Sequence, residues 1–297
     1  MAQPHNNRAN LSQGSIDGLE LIYKIASLYS HCLGEIRIPL KTSDDEKLKS
    51  IMLPYMVVMY GKIITAYRLL NGYSLDDLHP EIQDITNDSV SLYDIIRSMY
   101  ECFLQANFNI SRARTPKDLR YMIYWWDYRG LSERVQLAST GDFDINDIDE
   151  EVKHIDRIAN EVIKNHSDQL EEDIINFRKS KNQKLANWPK PVKLYEAAGI
   201  HKTQHDYLYK LNSIYTHCEP FAMMQVRYFI ETNNNDLNRN ILIHGRYIAD
   251  LSLAAIDGFS RVFPEVKESI DSSPGLDLMI VKGKGYLAMS RASIARN

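Results

Sequence analysis

A chain of 297 residues with 35 lysines and arginines against 39 aspartates and glutamates carries a formal net charge of −4, so nothing in its overall charge draws it to nucleic acid. Its length suffices for a substantial buried core. Cys32, Cys102 and Cys218 are widely spaced, with no Cys-x-x-Cys, which indicates neither a disulfide framework nor a zinc site and fits a reducing cytoplasm.

In chain order, residues 1–14 are polar, lack the apolar segment of a secretory signal and read as a disordered arm. A first helix is expected from Asp17, with Glu20 completing a capping box and Leu19, Ile22, Ala26, Tyr29 and Leu33 as its core stripe. Ser43 and Glu46 cap a second helix reaching about Leu70, kinked or begun afresh at Pro54. Residues 51–70 come nearest to a membrane span, but Pro54, Lys62 and Arg68 interrupt them, so no membrane association is expected. A third helix covers about residues 89–108. Thr115 followed by Pro116 opens a fourth, rich in aromatics from Tyr121 to Tyr128, whose Trp125 and Trp126 read as core.

Residues 147–187 form a long charged helix with Val152 and Ile155 on its apolar stripe, suited to lie across the surface or against a second subunit. Trp188 to Pro191 is a rigid break, and a short helix over 193–198 ends at Gly199. Thr203 and Asp206 form a capping box for the next helix, in which Tyr209, Ser213 and His217 fall four apart on one face. A loop at 233–235 precedes a helix over 238–263. Residues 276–281 suit a short strand and 282–285 a basic turn. The chain therefore reads as all-α: a multi-helix bundle of about eight or nine helices in a single domain over 15–297. Six identities relate Tyr23, Lys24, Ser27, Tyr29, His31 and Cys32 to Tyr209, Lys210, Ser213, Tyr215, His217 and Cys218, which suggests halves at 15–140 and 190–297 joined by the charged helix.

Two constellations carry the functional expectations. Arg97 and Glu101 are four apart and can pair on one helix face, within reach of Ser213 or His217. Together with Arg129 and Tyr209 they make a polar network, read either as a ligand site or as a device fixing helix register. The order of Arg97 to Glu101, Tyr124 to Arg129, Ala198 to Ile200 and the Tyr209/Ser213/His217 helix resembles an uncharacterised bacterial family of all-helical proteins. The resemblance covers about residues 89–220, departs at Cys218 to Pro220, and implies no activity.

Arg239 and Asn240, followed by His244, match the Arg-polar-x-x-x-His signature of the HEPN ribonucleases, all-helical proteins. This resemblance implies a metal-independent endoribonuclease of the defence or toxin kind, with Arg239 stabilising the phosphate, His244 moving the proton, and two domains completing the site. RNA, a second copy of the chain, and a cognate antitoxin or defence-system protein are the partners it implies. Read from the residues alone, Arg239 is a solvated first-turn residue and His244 a hydrogen-bonded core histidine. The competing expectation is a non-catalytic helical sensor or protein-interaction module built on the polar network. No cofactor is expected. Glu151 with His154 is a single Glu-x-x-His, His201 with His205 lacks a third ligand, and no Walker, dinucleotide or Gly-x-Ser-x-Gly motif occurs.

Overall fold

The computed structural model describes residues 12–37, 42–71, 73–74, 85–86, 89–139, 148–165, 191–217, 219–232 and 237–289. They form an all-α, multi-helix fold. Helix α1 (Gln13–Glu35) begins ahead of Asp17, because Ser12 is its N-cap: the Ser12 hydroxyl oxygen accepts the Ser15 amide at 3.3 Å. Of the expected N-terminal arm, residues 1–11 lie outside the described residues.

Helix α2 (Asp44–Asn71) starts where Ser43 Oγ accepts the Glu46 amide at 3.2 Å, and it runs through Pro54 without a break. It is the described helix that is long and apolar enough to cross a membrane. Met52, Met56, Met59, Ile63, Ala66 and Leu70 on its inner face are nevertheless fully buried, the pattern of a core helix. A two-residue antiparallel pair, β1 (Tyr73–Ser74) with β2 (Ile85–Thr86), precedes α3 (Ser89–Arg112). Helix α4 (Pro116–Ser139) has the capping box its sequence calls for. Thr115 Oγ1 accepts the Asp118 amide at 3.1 Å, and Asp118 Oδ2 accepts the Thr115 amide at 3.1 Å.

After α5 (Ile148–Asn165) come α6 (Pro191–Ala197) and α7 (Lys202–Asp206), then a π-helical turn (Tyr207–Leu211) and α8 (Asn212–Thr216). The N-cap of α7 is His201 rather than Thr203. His201 Nδ1 accepts the Thr203 amide at 3.1 Å, while Asp206 is drawn to Lys202 and, at 3.4 Å, to Lys210. Helices α9 (Pro220–Thr232), α10 (Leu237–Ser260), α11 (Pro264–Asp271) and α12 (Leu276–Ala288) complete the chain. The strand and basic turn expected after Pro274 are α12 instead: Leu276, Ile280, Gly283 and Leu287 recur at helical spacing and are all buried.

The chain divides into two compact units, one drawn from residues 1–38, 52–108 and 194–297 and the other from 39–51 and 109–193. In the first, α10 packs against α1, α11 and α12. Ile248, Leu251 and Ile256 of α10 are fully buried, and Tyr29 of α1 donates its hydroxyl to the Ser252 carbonyl at 2.8 Å. In the second unit, α4 packs on α5. Tyr121, Trp125, Tyr128 and Val135 meet Ile155, Ile158 and Ala159, so over 148–165 the apolar stripe of the charged helix is covered within the unit. Residues 166–187 of that expected helix lie outside the described residues.

Candidate functional site

Arg97 on α3 is the centre of a polar and aromatic column in the first unit. Its Nε donates to Glu101 Oε1 at 3.1 Å, one turn along the same helix. Its Nη1 lies 3.4 Å from His217 Nε2, and its guanidinium sits 5.1 Å from the centre of the Tyr209 ring. Cation–π contact, ion pair and imidazole thus converge on one group. The Arg97 side chain is 18% exposed and Glu101 41%, so the cluster opens to solvent on the carboxylate side.

Behind Tyr209 the rings continue inward. Tyr209 stacks on His205 at 5.5 Å between ring centres, His205 stacks on Tyr195 at 4.4 Å, and the Tyr100 hydroxyl is 2.8 Å from His205 Nδ1. Burial lowers the affinity of His205 for a proton and raises that of the Tyr100 phenolate, which favours the uncharged form of both. Beside the column, Tyr93 stacks on Tyr215 at 3.7 Å, and Thr216 donates its hydroxyl to Asp94.

The local backbone brings these groups together. In a regular α-helix, residues eight apart are turned about 80° from one another around the axis. The π turn between α7 and α8 is one residue wider than an α turn and takes up part of that offset, so Tyr209 and His217 both reach Arg97. Asn212, at the end of the wide turn, is buried and donates its side-chain amide to the Leu208 carbonyl, replacing a backbone bond that the π turn displaces.

Of the residues singled out in the sequence, Arg97, Glu101, Tyr209 and His217 are thus in one cluster. Ser213 is on the same segment, but its carbonyl accepts the His217 amide at 3.0 Å as an ordinary helix-backbone bond, and among the described residues its hydroxyl makes no bond to the cluster. Arg129 belongs to the second unit, where it pairs with Glu133 at 2.8 Å beside the Trp125 ring.

No family model, curated protein or solved structure matches the chain. The two resemblances therefore rest on their own residues.

The Arg239/His244 motif opens α10. The Arg239 side chain lies outside the described residues, whereas His244 is 4% exposed and meets the Tyr93 ring edge-on at 4.7 Å. Burial pushes its imidazole down to about 4, so it is neutral at pH 7. Glu151 of the Glu-x-x-His pair forms an ion pair with Arg134 at 2.8 Å, and His201 serves as a cap. Among the described residues no three His, Cys, Asp or Glu side chains gather as a metal site would require.

His205 and Tyr100 were not marked as site residues in the sequence, although the signal was present. His205 lies four residues before Tyr209, and Tyr100 three after Arg97, the spacings that place side chains on one helix face.

Proposed function

We propose that the chain is a non-catalytic helical sensor or protein-interaction module whose recognition element is the Arg97 cluster. The observation that supports this reading is the sharing of one guanidinium among Glu101, Tyr209 and His217. A charge-compensated arginine of this kind orients groups and fixes register. Acid–base catalysis instead calls for an accessible group that titrates near the working pH. His244, buried and shifted well below neutrality, has neither property. Glu101 and His217 form the solvent-facing end of the cluster, available to the polar groups of a partner, while Tyr100 and His205 tie its inner end to the core.

On mixed RNA in excess chelator, the wild-type chain is expected to leave the RNA intact. Arg97→Ala is expected to fold, with faster amide exchange over residues 202–217 and a stability loss of about 1–3 kcal/mol from the missing charged hydrogen bonds. Cleavage by the wild type that leaves cyclic phosphate ends, abolished in Arg239→Ala/His244→Ala, would replace this reading with the metal-independent ribonuclease.

A further inference from the structure

The end of α8 is fastened to α3 by two neighbouring side chains. Thr216 donates its hydroxyl to Asp94, and one residue on, His217 Nε2 lies 3.4 Å from Arg97 Nη1. Thr216 and His217 are both exposed. His217 is also the C-cap of α8, and its backbone N–H is taken up by the Ser213 carbonyl at 3.0 Å, which leaves its side chain to reach α3.

The direction of the hydrogen bond between Arg97 and His217 follows from chemistry. A guanidinium carries N–H donors and no acceptor, and it keeps its charge throughout the range in which proteins fold. Arg97 is thus the donor, and His217 Nε2 offers the lone pair, which fixes the ring as the uncharged tautomer with its proton on Nδ1. A protonated imidazole has no lone pair to offer and carries the same charge as its partner. The charged and titratable side chains on the elements around His217 are Asp94, Arg97 and Glu101 of α3, Tyr209 and Lys210 of the π turn, and Glu219 ahead of α9. Of the chemical groups gathered here, imidazole is the one whose ordinary titration falls between about pH 5 and 8.

We propose that the contact between Arg97 and His217 is a latch that acid releases. While the imidazole is uncharged it accepts from Arg97, and the end of α8 is held on α3 at both points. Once the ring takes a proton, two cations face one another and the bond is lost. The ring then turns outward, Arg97 stays with Glu101 and Tyr209, and the Thr216 hydroxyl holds the end of α8 to Asp94 without help from its neighbour. A partner seated on Glu101 and His217 would then meet a cation where it had met a neutral ring, and a looser helix end beneath it. That regulatory meaning rests on the cluster being the recognition element, whereas the latch itself does not.

The test is a pH titration of the full chain from 8 to 5, read through the Arg97 Nε–H resonance, the His217 ring resonances and the amide protection factors over residues 212–217. The Arg97 resonance is expected to follow the His217 ring with the same midpoint, and protection over 212–217 to fall about fivefold across it. His217→Gln keeps a neutral acceptor at this place and is expected to flatten both responses. Thr216→Val removes the other fastening and is expected to enlarge the loss of protection. An Arg97 resonance indifferent to the titration of His217, or the same response in His217→Gln, overturns the proposal. These outcomes are independent of the RNA assay: cleavage there removes the recognition role and leaves the latch standing, while an indifferent Arg97 removes the latch and leaves the recognition role standing. Both substituted side chains are exposed, so each variant is expected to fold, which its circular dichroism checks.

Discussion

His244 and Asp250 stand six residues apart on α10, and burial acts on their protons in opposite senses. The imidazole is pushed from 6.5 down to about 4. The Asp250 carboxyl is pushed from 3.8 up to about 6 by burial, against the pull of Arg246, whose Nε is 3.2 Å away. For His244 the unfolded chain holds the proton more tightly, so its contribution to stability is complete above pH 6.5 and is lost as the pH falls through about 4. For Asp250 the folded chain holds the proton more tightly, so its contribution is complete below pH 3.8 and is lost as the pH rises through about 6. Each effect is worth about 3 kcal/mol, and over most of the same window they oppose one another. Asp250→Asn is expected to steepen the loss of stability between pH 6 and 4, and His244→Asn to make stability rise over that interval. Urea midpoints at pH 7, 6, 5 and 4 read both, and a curve for Asp250→Asn parallel to the wild type would show that Asp250 does not titrate there.

At the scale of elements, two glycines should answer alanine in opposite ways. Gly61 is in the exposed middle of α2, with nothing within 4 Å of an added Cβ, so Gly61→Ala is expected to stabilise by about 1 kcal/mol through helix propensity. At Gly283 of α12 the same atom would stand 3.3 Å from Asp250 Oδ1 and 3.4 Å from its Cα, so Gly283→Ala is expected to destabilise by pushing α12 away from α10. Denaturant midpoints of the two variants check the difference in sign. Thr115→Ala removes the cap of α4 and is expected to cost about 1 kcal/mol, measured the same way.

The sequence makes some of these elements plainer than others. The start of α4 is written in two adjacent signals, Thr115 and Pro116. The start of α1 depends on Ser12, whose neighbours carry no apolar periodicity, and the helix over 276–281 is masked by an apolar run too short to separate a strand from a buried helix. The Arg97/Glu101 pair and the Tyr209/His217 face were legible from spacing. A core position for His244 was legible as well, whereas its contact with the Tyr93 ring, distant in sequence, was not.

For the whole molecule, the two units have separate cores, one around α10 and one in the α4/α5 pair. Trp125 is 3% exposed within the second, and Trp125→Ala is expected to cost about 3–5 kcal/mol. Amide exchange should then quicken over residues 116–165 while α1, α10 and α12 keep their protection. Uniform loss throughout the chain would mean that the units unfold as one.

Tyr23 to His31 and Tyr209 to His217 share much of one spelling on two different backbones, a continuous α-helix in the first and a widened turn in the second. Sequence likeness within a chain is thus no guarantee of likeness in phase. Tyrosine and histidine are eight residues apart in both, so the turn between them, and not the spacing of the side chains, decides whether the pair meets an internal arginine.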